Sequence, residues 1–330
     1  MSGSRRDWII AFAGIAMAAL LPFLAADSFV MHLMTTVAIA SVLALGLQLL
    51  LGVSGQLSIG QAAFFGLGAY GAALMTRDAG IPFLLALPLA GIIGGLASLA
   101  MVPITRLRGP YLAVATLGFS IIVYLVLKNE EWATGGSFGL IGIPRPELFG
   151  FRLRDPMLWY WFCAGMAALT YVGMLLLQKS RFGRALHAVR QNEDAARASG
   201  LSITLLKSQC FVISAVVSGM AGALFAHHLR YLNPNDFTFW RSIEILIMVV
   251  IGGVGSLAGA VLGAAVVVVL PEVLRVIGDY RMLVFGAMLV AVMLVGEGGL
   301  AGIIDGLSRR AAALLRRPRP APQALRSGAE

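Results

Sequence analysis

The chain alternates long apolar runs with short polar stretches. The apolar runs cover residues 8–26, 29–51, 81–103, 110–127, 157–178, 208–228, 242–270 and 283–304. A helix needs about 20 apolar residues to cross a hydrocarbon core about 30 Å thick, so these runs predict membrane spans. The first follows Arg5 and Arg6, and Leu24-Ala25-Ala26 resembles a signal-peptide cleavage site. Its length, and the apolar run that follows at once, favour its retention as a span. The run from Ser242 to Leu270 is too long for one straight span, since as a helix it would measure about 43 Å. Gly252, Gly253 and Gly255 lie within it, and the pattern predicts two short segments rather than one. Pro271 to Met282 is predicted to be a loop.

One further segment, Gly52 to Met75, is apolar but interrupted. It carries Gly52, Gly55, Gly60, Gly66, Gly68 and Gly71, interleaved with Ser54, Gln56, Ser58 and Gln61. Backbone released from helical geometry inside a membrane must be satisfied by protein or by a water-lined cavity. The segment therefore predicts a broken or cavity-lining element, with close packing of small residues as the alternative. The expected fold is an all-α membrane protein of about ten transmembrane segments, some broken or re-entrant. A possible internal repeat accompanies it: Gly52, Gly55 and Leu57 recur as Gly252, Gly255 and Leu257. Paired glycine-interrupted segments in two halves point to a substrate path.

The polar stretch from Lys179 to Lys207 has the punctuation of two helices. Ser180 is placed to cap the first, and Phe182, Leu186 and Val189 recur at helical spacing. Asn192 is placed to cap a second over 193–199, with Glu193 and Asp194 in its first turn and Gly200 ending it. That helix would span about 10 Å, too short to persist alone in water. It therefore predicts a surface element held by a partner, the alternative being a solvated amphipathic loop.

Composition supports the membrane reading. Hydrophobic residues make up 59% and charged residues 12%, and mean hydropathy is +0.87; a soluble domain carries about 25% charged residues. The net charge of +9 does not imply nucleic acid, because the basic residues sit in loops and tails. Arg5, Arg6, Arg106, Arg108, six residues from Lys179 to Lys207 and six from Arg309 to Arg326 fall on one side of a ten-span arrangement. That side holds sixteen of the 25 basic residues and is predicted to be cytoplasmic, with both termini on it. The chain divides into a transmembrane domain, 1–307, and a basic tail, 308–330, whose composition predicts disorder. Cys163 and Cys210 lie in apolar runs without metal-site spacing. The loop Thr134-Gly135-Gly136-Ser137-Phe138-Gly139-Leu140 lacks the lysine of a P-loop, and no other P-loop is present. ATP is thus not expected to bind this chain in that way.

Gln48, Gln56, Ser58, Gln61, Thr116 and Ser120 supply neutral polar groups for a solute path, or equally for helix–helix hydrogen bonds. His32, His227 and His228 sit near span ends and read as interfacial. Glu244, Glu272 and Glu297 also lie near span ends, which argues against the buried coupling carboxylate of a secondary transporter. A secondary transporter or channel for a small neutral polar solute is nevertheless the alternative class.

Separated stretches carry a family resemblance. They are Gly55-Gln56-Leu57-Ser58-Ile59-Gly60-Gln61-Ala62-Ala63-Phe64-Phe65-Gly66, Arg106-Leu107-Arg108-Gly109 leading to Thr116-Leu117, Thr134-Gly135-Gly136, and Phe182 to Gly200. Met248 to Leu257 and Leu270-Pro271-Glu272 add to them. Over about residues 30–305 the chain resembles the LivM-like permease subunits of bacterial branched-chain amino-acid ABC importers. The resemblance implies a multi-pass protein of the bacterial inner membrane with no cofactor of its own and no enzymatic activity. It also implies two separate ABC ATPase subunits that hydrolyse ATP, a second and distinct permease subunit, and a periplasmic substrate-binding protein. Asp194-Ala195-Ala196 followed by Gly200 resembles the coupling loop of ABC importers, with the usual glutamate shortened to aspartate. On this basis Arg184, Arg190, Glu193, Asp194, Ala195, Ala196 and Gly200 are the expected ATPase-coupling residues, with Ala195, Ala196 and Leu201 packing into an ATPase cleft. Gly55, Gln56, Ser58, Gly60, Gln61, Thr116, Gly252 and Gly255 are the expected path residues. Where the family often ends its last span in Pro-Arg-Gly-Leu, this chain has Glu297-Gly298-Gly299-Leu300.

Overall fold

The computed structural model describes residues 27–107, 109–148, 151–153, 155–275, 283, 286, 287, 290 and 298–302. The expected first span, most of the last one and the basic tail lie outside the described residues. Helix dominates what remains, as continuous apolar sequence in a membrane requires, because a helix satisfies its own backbone. Helix α1 is Ser28–Gln48, α2 Gln61–Arg77, α3 Phe83–Leu99 and α4 Pro110–Asn129. A short α5 (Glu131–Thr134) precedes α6 (Pro156–Lys179), α7 (Arg181–Gln191), α8 (Glu193–Ala198) and α9 (Ile203–Leu229). Helices α10 (Phe239–Gly252) and α11 (Leu257–Val273) follow. Among the described residues four helical segments are long and apolar enough to cross a membrane: Ser28–Ser54, Pro110–Asn129, Pro156–Lys179 and Ile203–Leu229. Helices α3 and α11 are apolar but shorter.

The helices form an inner and an outer set. Helices α1 and α9 are largely enclosed and pack on each other, and α9 also runs against α2 and α3. The outer set keeps large apolar side chains exposed, including Leu85 and Ile92 on α3, Ile122 and Val126 on α4, and Leu169 and Leu176 on α6. That distribution is the reverse of a soluble protein's and matches a lipid-facing surface. Small residues set the inner spacing. A Cβ on Gly222 of α9 would lie 2.1 Å from the Phe65 carbonyl oxygen of α2, and one on Gly219 would lie 2.4 Å from Ala90 O of α3. The backbones therefore meet at distances only glycine permits.

Loops gather at two ends. At one end β1 (Leu140–Ile141) pairs antiparallel with β4 (Tyr231–Leu232), and β2 (Glu147–Leu148) pairs with β3 (Phe151–Arg152). Arg77, at the end of α2, donates to Ile141 O there. The glycine-rich loop at 134–140 serves this turn: Gly139 has φ +80° and a Cβ on it would sit 2.3 Å from Leu232 O. The opposite end carries the α1–α2 break, the 3-10 turn Val102–Arg106, α7–α8 and the α10–α11 turn.

One reading from the sequence is corrected here. Pro271 does not begin a loop, since α11 continues through it to Val273. Its missing amide is tolerated in a membrane helix because neighbouring groups compensate locally. His227, two residues from the end of α9, is buried by protein, with Nδ1 hydrogen-bonded to Ala223 O and Nε2 to Thr76 Oγ1.

Candidate functional site

Helices α7 and α8 form where their caps stand. Ser180 Oγ accepts from the Gly183 amide, and Asn192 Oδ1 accepts from the amides of Asp194 and Ala195, both at 3.0 Å. Each cap contributes about 1 kcal/mol. Gly200 then turns the chain with φ +80°. Leu186 and Val189 supply the buried face of α7, while Arg184, His187 and Arg190 lie on the polar side. Such amphipathicity is what a surface helix needs.

Helix α8 has six residues and is anchored from below. Ala196 is buried in a small cluster with Val189 and Ile203. Lys207 Nζ pairs with Glu193 Oε1 at 2.5 Å, tying the start of α8 to the first turns of α9. The Lys207 side chain is only 7% exposed and that of Glu193 23%, so water screens this pair little. The expected docking of Ala196 into a partner's cleft is therefore corrected: its methyl is used within the chain. The face left open is Asp194, Ala195, Arg197 and Ala198.

Above α7 lies a junction of both glycine breaks. Helix α1 ends in a π-helical stretch, Leu49–Ser54, and Gly55 leaves it with φ +72°. The second break, between α10 and α11, turns at Gly253 (φ +114°) and Gly255 (φ +103°). The two breaks touch, because a Cβ on Gly52 would lie 2.9 Å from the Gly255 amide nitrogen. Gln48 Nε2 donates to Gly253 O at 3.3 Å. Arg190 reaches up from α7 and donates through Nη1 to Gly52 O. Its Cγ would sit 3.0 Å from a Cβ on Gly55, and its Nη1 3.8 Å from one on Gly255. One guanidinium thus meets both breaks. Gly252 serves the helix pair itself: a Cβ there would lie 2.0 Å from Gly259 O.

Between Gly55 and Gly60 the chain is not helical, and side chains from distant elements satisfy it. Thr116 Oγ1 on α4 accepts from the Ile59 amide at 3.0 Å. Ser242 Oγ on α10 accepts from Ala62 N at 3.0 Å. Gln56 is buried and donates through Nε2 to Ser54 Oγ at 2.8 Å and to Lys207 O at 3.3 Å. Ser58 is buried and accepts from Gly60 N at 3.4 Å. Gly60 packs on Thr116, with 2.7 Å from its would-be Cβ to Thr116 O. Gln61 bridges α2 to α9: its Nε2 donates to Ser214 Oγ at 3.0 Å, and its Oε1 accepts from Ser218 Oγ at 2.7 Å. Ser214 in turn donates to Gly46 O of α1 at 2.7 Å.

Of the residues expected to line a path, Gly55 and Gly255 are exposed, and Gln56, Ser58, Gly60, Gln61, Thr116 and Gly252 are buried. The expected coupling residues share one end of the molecule with that break. Arg184 donates to Lys179 O at 2.8 Å and Arg197 lies 3.8 Å from Asp194. Sequence reasoning missed Lys207, Ser214, Ser218 and Ser242. Ser214 and Ser218 stand four residues apart on α9 next to Gly219 and Gly222, a small-residue pattern that marks a helix-packing face.

Several lipid-length helices, a buried irregular segment held by neutral polar groups, and a capped surface helix pair beneath it define a multi-pass membrane protein of the transporter kind. Comparison places it further. Residues 29–293 match the family model described as "Branched-chain amino acid transport system / permease component", and the chain belongs to that family. It is 38% identical over 283 residues to the high-affinity branched-chain amino acid transport system permease protein LivM of Salmonella typhimurium LT2, covering 78% of this chain and 67% of the relative. The protein of the same name from Escherichia coli K12 is 37% identical over 284 residues, with the same coverage. A more distant relative, the autoinducer 2 import system permease protein LsrC of Klebsiella pneumoniae, is 28% identical over 53% of this chain and 49% of its own length. No solved structure matches the chain.

Proposed function

We propose that this chain is the membrane-spanning permease subunit of an ATP-binding-cassette importer and forms part of the path for branched-chain or related amino acids. It contributes ten spans to a bacterial inner membrane, with both termini and the α7–α8 end in the cytoplasm. The two glycine breaks are equivalent elements of an internal repeat. Two ATPase subunits supply the energy, one of them bearing on α7–α8. A second, distinct permease subunit completes the path, and a periplasmic binding protein delivers the solute.

One observation carries this reading: Arg190 and the Lys207–Glu193 pair tie the surface helices directly to the broken segment and to α9. Force on α8 therefore reaches the interior through short, specific contacts. The partner meets Asp194, Ala195 and Arg184, while Gly200 lets the chain turn back. Surface ion pairs contribute only about 0–1 kcal/mol each, so the close approach allowed by Ala195 matters more. On the path side, exposed Gly55 and Gly255 face the solute. Gln56, Ser58, Gly60, Gln61, Thr116 and Gly252 hold the breaks in shape. This leaves neutral side chains and helix-end dipoles beside the Arg190 cation, a setting that suits a zwitterion.

The test is reconstitution with the cognate ATPases and binding protein. Leucine, isoleucine or valine uptake should require ATP and stop on Ala195→Trp, while the variant protein remains folded. Uptake by this chain alone under an ion gradient would overturn the reading.

A further inference from the structure

Below α8, beside the Lys207–Glu193 pair, is a second feature. A cavity of about 250 Å³ opens between the 3-10 turn, α8 and the start of α9. Arg106, Arg197 and Lys207 line it with one carboxylate, Glu193, and with Thr105 and Thr204. Lys207 is neutralised by Glu193 at 2.5 Å. Arg197 is 3.8 Å from Asp194, and its side chain is 64% exposed. Arg106 makes no ion pair among the described residues. The cavity thus keeps surplus positive charge. Its floor is the first turn of α9, whose cap residue Ser202 makes no side-chain cap hydrogen bond.

The surroundings say what kind of anion fits. The chain leaves the cavity into exposed apolar surface in two directions. Leu205 on α9 is 56% exposed, and Leu107, Tyr111 and Val114 follow Arg106 at 42%, 74% and 67%. Cations beside exposed apolar side chains at a span end form an arrangement that suits a headgroup phosphate with its acyl chains alongside. An acidic protein loop would need the charge without the apolar flank.

We propose that this cavity binds the phosphate of an anionic phospholipid, held by Arg106 and Arg197 with Thr204, and that the lipid braces α8 against α9. The proposal rests on the membrane setting and not on the ATPase-coupling reading. Each cation near a membrane surface strengthens anionic-lipid binding by a factor of roughly 5.

The full chain in nanodiscs of phosphatidylcholine with graded phosphatidylglycerol tests this, with bound lipid counted by native mass spectrometry after gentle detergent release. The wild type should retain phosphatidylglycerol in preference to phosphatidylcholine. R106Q and R197Q should each weaken that preference roughly 5-fold and the double variant roughly 30-fold, and R106K/R197K should restore most of it. Melting in pure phosphatidylcholine should be the same for all variants, which separates lost lipid from lost fold. An unchanged preference in the double variant overturns the proposal. So does equal protection by inorganic phosphate, which would make the site one for a free anion. A double variant that keeps its lipid but no longer co-purifies with the ATPase would also overturn it, assigning the cavity to a protein partner.

Discussion

Arg190 offers the sharpest test of how surface helices act on the interior. Its guanidinium donates to the carbonyl of buried Gly52, at the point where α1 leaves α-helical geometry. Arg190→Ala removes that donor and leaves a buried carbonyl without it. Hydrogen bonds to charged groups contribute about 1.5–3 kcal/mol, and the lower end applies here because Arg190 is partly solvated. About 1.5 kcal/mol corresponds to roughly a tenfold loss in the coupled equilibrium. Gly55→Ala attacks the same contact from the other side. The new Cβ would sit 3.0 Å from Arg190 Cγ, in a left-handed conformation with φ +72°. That conformation alone costs an L-residue about 1–2 kcal/mol. If both changes act through one contact, their effects on uptake per ATP hydrolysed should not add. The coupling in the double-mutant cycle should exceed about 0.5 kcal/mol. The assay is proteoliposome uptake and ATP hydrolysis measured on the same samples, with basal hydrolysis preserved. Additivity within about 0.3–0.5 kcal/mol, or an Arg190→Ala variant with unaltered uptake per ATP, refutes the reasoning.

Gln61→Leu breaks the bridge from α2 to Ser214 and Ser218 and should destabilise the protein by about 1–3 kcal/mol, read as earlier thermal unfolding in detergent. Gly222→Leu places side-chain atoms where Phe65 O already lies; overpacking of this kind costs more than about 1–3 kcal/mol and should remove the monodisperse peak on size exclusion. Lys207→Met removes the tie between Glu193 and α9 and loosens α8, with a cost of about 1–3 kcal/mol, between exposed and buried pair values; co-purification of the ATPase should fall while the spans stay folded by circular dichroism. Asn192→Ala removes the cap of α8 for about 1 kcal/mol, and amide exchange at Ala195 and Ala196 should accelerate without change in α9.

What could be read from the residue order alone was whatever has a local cause. Span positions follow from apolar runs long enough to cross a bilayer. The ends of α7 and α8 follow from Ser180, Asn192 and Gly200, whose effects act within four residues. The division of 242–270 into two helices follows from length set against membrane thickness, with the glycines marking the turn. The irregular stretch was legible only in part: polar and glycine residues over 52–75 predict a broken element, yet the chain is irregular only as far as Gly60, and Gln61–Arg77 is a regular helix whose glycines serve close packing.

Tertiary structure alone decided which partner each polar group takes. Arg190 looks, by position, like a residue for an outside acid, yet it turns inward to Gly52, 138 positions away. Ala196 looks as exposed as Ala195 on a six-residue helix, and is buried because Val189 and Ile203 arrive beneath it. Thr116, legible as a polar group within a span, and Ser242, which no local signal marks, satisfy amides of a segment far away in sequence. Helical propensity and capping are encoded within a few residues. A long-range hydrogen bond exists only once packed helices have excluded water and left a backbone group with nowhere else to turn.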